Sequence, residues 1–144
     1  MKRNAKEFLD FYHEARWHFE GTFDERRAQE LKLWEDWYRE MEVGDHASVH
    51  LWTDTEPCTI IKKTANSFTV RYDKARRDPN WKPEWIPGGF SAICTNNDEQ
   101  KWIIEEDPNG RTDAFRWSKR MNCFKNKADC KLTPGWAKKY DYNF

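Results

Sequence analysis

The chain has 144 residues, enough for one core and too few for two comfortable domains. Hydrophobic residues make up 38% of it and charged residues 35%, yet nine Trp, nine Phe and five Tyr exclude a disordered chain and supply core volume where aliphatics are scarce. Formal net charge is zero, no apolar run approaches the ~20 residues of a membrane span, and the charged start Lys2-Arg3-Asn4-Ala5-Lys6-Glu7 leads into no apolar signal segment.

A cytoplasmic setting is therefore expected, with Cys58, Cys94, Cys123 and Cys130 as reduced thiols. Charge is unevenly spread. Residues 1–43 carry 8 Lys/Arg against 11 Asp/Glu, whereas residues 111–144 carry 9 Lys/Arg against 3 Asp. A basic C-terminal third suits an acidic partner or phosphates, or else offsets the acidic helices of this chain or of a second copy.

Residues 4–20 predict an amphipathic helix, because Phe8, Phe11/Tyr12, Ala15 and Phe19 recur at steps of three and four. Gly21 interrupts it. Thr22-Phe23-Asp24-Glu25 then has the form of a capping box, in which the Thr22 hydroxyl and the Glu25 carboxylate each satisfy the other's amide. A second helix is expected over 23–42, with Leu31, Trp34, Tyr38 and Met41 on one face and Gly44 beyond its end. A hairpin and a single kinked rod both fit. The aromatic stripe serves as core or as the seam of a homodimer through these helices.

From Ala47 the period changes to two. Strands are expected over Ala47–Thr53, Pro57–Lys63 and Ser67–Asp73, with Thr64-Ala65-Asn66 as a tight connection. Residues 79–90 hold Pro79, Pro83 and Pro87, which predict a stiff loop displaying Trp81 and Trp85. Lys101–Glu106 and Arg111–Ser118 flank Asp107-Pro108-Asn109-Gly110, read as a hairpin with a bulge in which Gly110 supplies a positive φ. Residues 119–144 are basic and weakly patterned, with a turn at Pro134-Gly135 and closing aromatics that dock the tail. The expected class is α+β: a helical segment over 1–43, then over 44–144 an antiparallel, SH3-like or Sm-like curled β-sheet with a basic tail, one domain overall.

Chemistry-bearing patterns are few. No Gly-rich phosphate loop or Gly-x-Ser-x-Gly elbow occurs, so no catalytic residue is nominated. His46 and His50 share one face of a strand, but surface or half-buried imidazoles are the plainer reading than a metal pair. The cysteines lack the short paired spacing of structural zinc. No metal ligand and no cofactor is therefore nominated. Arg beside aromatics stacks on bases and grips phosphates, and is equally the make-up of protein–protein hot spots. The candidate binding residues are Trp52, Arg71, Trp81, Trp85, Phe90, Arg111 and Arg116.

The stretch Gly44-Asp45, Trp52-Thr53-Asp54, Cys58-Thr59-Ile60-Ile61, Asp73-Lys74-Ala75, Lys82 to Phe90, Cys94-Thr95-Asn96 and Glu99-Gln100, with the closing Tyr140-Asp141-Tyr142-Asn143-Phe144, resembles a family of small uncharacterised proteins of bacteriophages and integrated mobile elements. The resemblance covers roughly residues 43–144 and brings no activity. It implies a phage-like origin and a place in the host cytoplasm, where small orphan phage proteins often act as anti-defence factors such as anti-CRISPR proteins. The leading expectation is a non-enzymatic inhibitor that binds a host protein or nucleoprotein complex, most plausibly a nucleic-acid-handling defence complex. A second is a binder of a nucleotide-type small molecule, with Trp81, Trp85 or Phe90 stacking the base and Arg71, Arg111 or Arg116 holding phosphate. A third is direct nucleic-acid binding through the basic C-terminal third.

Overall fold

The computed structural model describes residues 3–88 and 91–143. Helix α1 (Ala5–Ala15) starts at Asn4, whose side chain accepts from the Glu7 amide (2.8 Å) while Glu7 reaches back to the Asn4 amide (3.1 Å). A 3-10 turn (Arg16–His18) and Gly21, at φ 101°, reverse the chain into α2 (Phe23–Arg39). The Thr22 hydroxyl accepts from the Glu25 amide and also donates to the Glu25 carboxylate, so this box differs from the reciprocal form expected. The helices form an antiparallel hairpin rather than a rod. Phe8 stacks on Trp37 (ring centroids 4.3 Å), Tyr12 meets Trp34 (5.3 Å) and the Tyr12 hydroxyl donates to Glu30 (2.8 Å).

Among the described residues ten strands follow: β1 (His46–His50), β2 (Thr55–Lys63), β3 (Ser67–Tyr72), β4 (Lys74–Arg77), β5 (Trp85–Gly88), β6 (Ser91–Cys94), β7 (Trp102–Glu105), β8 (Thr112–Ser118), β9 (Cys123–Lys125) and β10 (Lys131–Pro134). Six of them, in cyclic order β1-β2-β3-β8-β9-β10, close an antiparallel barrel. Alternation decides what points inward. Ala47, Val49, Cys58, Ile60, Phe68, Val70, Phe115, Phe124 and Leu132 fill the interior, as side chains must in so narrow a barrel.

The helical hairpin plugs one end of this barrel. Phe8, Trp37, Tyr38 and Met41 join its core, and Arg39 donates to the Ala65 carbonyl and Asn66 on the β2–β3 turn. The aromatic stripe thus faces the chain's own barrel. Burying it removes apolar area at roughly 25 cal/mol per Å², which is why two acidic helices stay docked.

Asp107–Gly110 is a turn but not a hairpin. Strand β7 pairs with β4 and β8 pairs with β3, so β7–β8 runs along β3–β4 as one antiparallel ribbon. Residues 106–111 bulge out opposite Tyr72 and Asp73 alone. Gly110 does not adopt a positive φ. A Cβ there would stand 2.0 Å from the Tyr72 carbonyl oxygen, so close backbone approach is what demands glycine. The Pro-rich stretch is likewise not all loop, because β5 and β6 pair as a two-stranded ribbon within it. Residues 119–144 supply β9 and β10, without which the barrel would stay open. Among the described residues, no helix is long and apolar enough to cross a membrane.

Candidate binding surface

After β10 the chain leaves the barrel at Gly135 and runs back along its outside over β1 and β2. Trp136 stacks on His46 (centroids 3.5 Å, 10° between planes), and its Nε1 donates to the Cys58 carbonyl (3.1 Å) and to Asp73 Oδ2 (3.0 Å). Lys138 binds Glu56 (2.6 Å), and Lys139 pairs its backbone with Thr55 (2.9 and 3.0 Å).

Beyond that point residues 140–143 are each held. The Tyr140 amide donates to Gln100 Oε1 (3.0 Å), the Asp141 amide to Asp54 Oδ1 (2.9 Å) and the Tyr142 amide to Asn97 Oδ1 (3.2 Å). The Asn143 side chain pairs with Cys94 as a neighbouring strand would, accepting from its N–H (2.7 Å) and donating to its carbonyl (3.0 Å). Asn96, buried, accepts from the Glu84 amide (2.8 Å) and donates to the Lys82 carbonyl (2.8 Å). The sequence blocks around Trp52, Lys82–Trp85, Cys94–Asn96, Gln100 and Tyr140–Asn143 are therefore one contact network.

That network assembles an aromatic surface. Tyr142 sits between Trp81 (5.7 Å) and Trp85 (6.1 Å) and meets Tyr140 at 4.8 Å. Trp85 is 48% exposed and Tyr140 47%; Trp52, on the β1–β2 turn that Asp54 ties to the tail, is 96% exposed. Ile86 and Ile93 face each other across β5–β6 and are about half exposed. Trp81 is the exception among the expected displayed indoles. At 7% exposure it underlies the surface, with its Nε1 buried and without a hydrogen-bond partner. The Pro-rich chain wraps over it because Tyr142 and the Asp78 carbonyl, which accepts from the Trp81 amide (2.9 Å), pull it inward. Phe90 lies outside the described residues. Tyr140 and Tyr142, expected only to anchor the tail, complete the surface.

The three arginines are placed elsewhere. Arg111 lies over the Tyr72 ring (4.6 Å) at the barrel mouth opposite the helices. Arg71 and Arg116 lie on the outward faces of β3 and β8. Among the described residues, no hydrogen bond, ion pair or ring contact links any of them to Trp52, Trp81 or Trp85, so base-stacking and phosphate-holding groups are not gathered at one point.

A few titratable groups elsewhere are buried in the packing. Burial pushes the Cys58 and Cys123 thiols up, which keeps them protonated. Burial, helped by the Lys131 charge, holds His50 below the usual imidazole range, and His50 Nε2 bonds the Thr133 hydroxyl (2.7 Å). Among the described residues, no three His, Cys, Asp or Glu side chains gather as a metal-binding group. Compared with protein-family models, curated proteins and solved structures, the chain matches none.

Proposed function

We propose that the chain is a non-enzymatic binding protein that docks on a host macromolecule through the Trp52–Trp85–Tyr140 surface and blocks it. The carrying observation is that these exposed rings sit on a framework already fixed by side-chain hydrogen bonds from Asn97, Gln100, Asp54 and Asn143. Exposed Trp and Tyr on a rigid base have the make-up of a protein hot spot, and little ordering entropy is lost on binding. The resemblance to phage and mobile-element proteins supplies the setting, a host cytoplasm. A nucleic-acid-handling defence complex is the favoured partner, which makes this an anti-defence factor.

The test is capture from bacterial host lysate by the wild-type chain and by a Trp52→Ala/Trp85→Ala variant. A partner held by the wild type should be lost from the variant at unchanged far-UV circular dichroism and melting temperature, each truncation weakening it by about 2 kcal/mol. Equal capture by both folded proteins, or none by the wild type, rejects the reading.

A further inference from the structure

Across the barrel from the tail, the wall made by β3, β8 and β9 is built differently. Its outward residues, read from the register, are Ser67 beside Arg116, Thr69 beside Ala114 and Arg71 beside Thr112, with Lys125 next to Arg116 on β9. Lys62, exposed at the β2 bulge, pairs with Thr69. The β8 carboxylate at Asp113 points inward, where it accepts from the Tyr72 hydroxyl (3.0 Å) and Asn126 (2.9 Å). Three hydroxyls, of Ser67, Thr69 and Thr112, and an alanine thus form a shallow floor among basic side chains.

Most of these cations have no carboxylate partner among the described residues. Among the described residues, Lys62, Arg71, Arg116 and Lys127 form no ion pair, and Arg71 Nε is buried with no hydrogen-bond partner at all. Only Lys125 has a carboxylate, Asp129. A groove of about 500 Å³ runs along Ala114, Arg116, Trp117, Lys125, Asn126 and Lys127.

We infer that this wall binds the phosphate backbone of a single-stranded nucleic acid. Small hydroxyls and unpaired Arg/Lys are the groups that hold phosphate oxygens, without reading sequence. Arg71 and Arg116 stand four residues apart along the ladder, roughly 13 Å at ~3.3 Å per residue, which sets out charges along a strand instead of around one anion. An acidic protein is the weaker fit, because the half-buried Trp117 is the one large apolar group in the groove and protein interfaces need apolar anchors. The inference is independent of the aromatic surface.

The probe is a fluorescein-labelled 20-mer of deoxythymidine followed by anisotropy from 50 to 200 mM salt. Four phosphate-facing cations give a slope of log affinity against log salt of about −2.8, or about a fifty-fold loss over that range. In Arg116→Ala/Lys127→Ala, both exposed positions, the slope should fall to about −1.4 with the melting temperature unchanged. Trp52→Ala should bind as the wild type does, even if it has lost its protein partner. Three results overturn the inference: no binding by folded protein at 50 mM salt, an unchanged slope in the double variant, or equally good competition by polyglutamate of the same charge, which would assign the wall to an acidic protein.

Discussion

Asp73 occupies the one-residue gap between β3 and β4, and three parts of the chain meet on its carboxylate. It accepts from the Thr59 hydroxyl (2.6 Å), from Trp136 Nε1 (3.0 Å) and from the Asp107 amide (3.2 Å). Barrel, tail and bulge are thereby registered on one side chain. A hydrogen bond to a charged group contributes about 1.5–3 kcal/mol, and donors left buried without an acceptor cost more than they gained. Asp73→Ala should therefore lower stability by about 3 kcal/mol in urea denaturation, and Asp73→Asn, which keeps one carbonyl oxygen, by about half of that. If both variants unfold at the wild-type midpoint, Asp73 does not register the three segments.

At the scale of elements, the ribbon β4/β7 continues the barrel pair β3/β8, whereas β5/β6 stands apart from the barrel, and a lone two-stranded ribbon is marginal in water. What holds β5/β6 is the tail. A chain ending at Lys139 lacks the Asp141, Tyr142 and Asn143 contacts but keeps every barrel strand. Hydrogen exchange in this truncation should lose protection over residues 81–100 while β1–β3 and β8–β10 retain it. Uniform loss over the whole chain would mean that the tail is part of a single cooperative unit.

The same elements show what could be read in advance. The helices and first three strands announce themselves, because their apolar spacing persists over several periods and Gly44 separates the two regimes. The strand β9 has only Cys123-Phe124-Lys125, less than two periods, and its neighbouring turns rely on Asn122 and Asp129 at positive φ rather than on glycine. Asp107-Pro108-Asn109-Gly110 has hairpin chemistry, yet the strand β7 finds its partner in β4, about 30 residues upstream. A local turn cannot report that. Within the candidate site, the Pro-rich segment made Trp85 legible as displayed, whereas Trp52 was read within a strand and the burial of Trp81 depends on Tyr142, about 60 residues away.

For the whole molecule, zero net charge conceals two poles. The helical end, residues 1–43, is acidic, and the wall of β8 and β9 is basic. With a pI near 6.9, little net repulsion keeps copies apart at neutral pH. Sedimentation velocity should show self-association at 10 mM ionic strength, where the Debye length is about 30 Å, that disappears by 150 mM, where it is about 8 Å. Association that persists at high salt would point instead to apolar contact, with exposed Trp17 and Phe23 at the hairpin tip as the first suspects.

The barrel closes by pairing Ala47 with Pro134, partners about 87 residues apart. A ribosome adding ~5–20 residues per second separates the two by roughly 4–17 s. Throughout that interval β1 carries a bare hydrogen-bonding edge, a template for mispairing. Tyr140 to Asn143 emerge later still. Until then the rings of Trp81 and Trp85 lack the Tyr142 ring that packs against them in the folded chain.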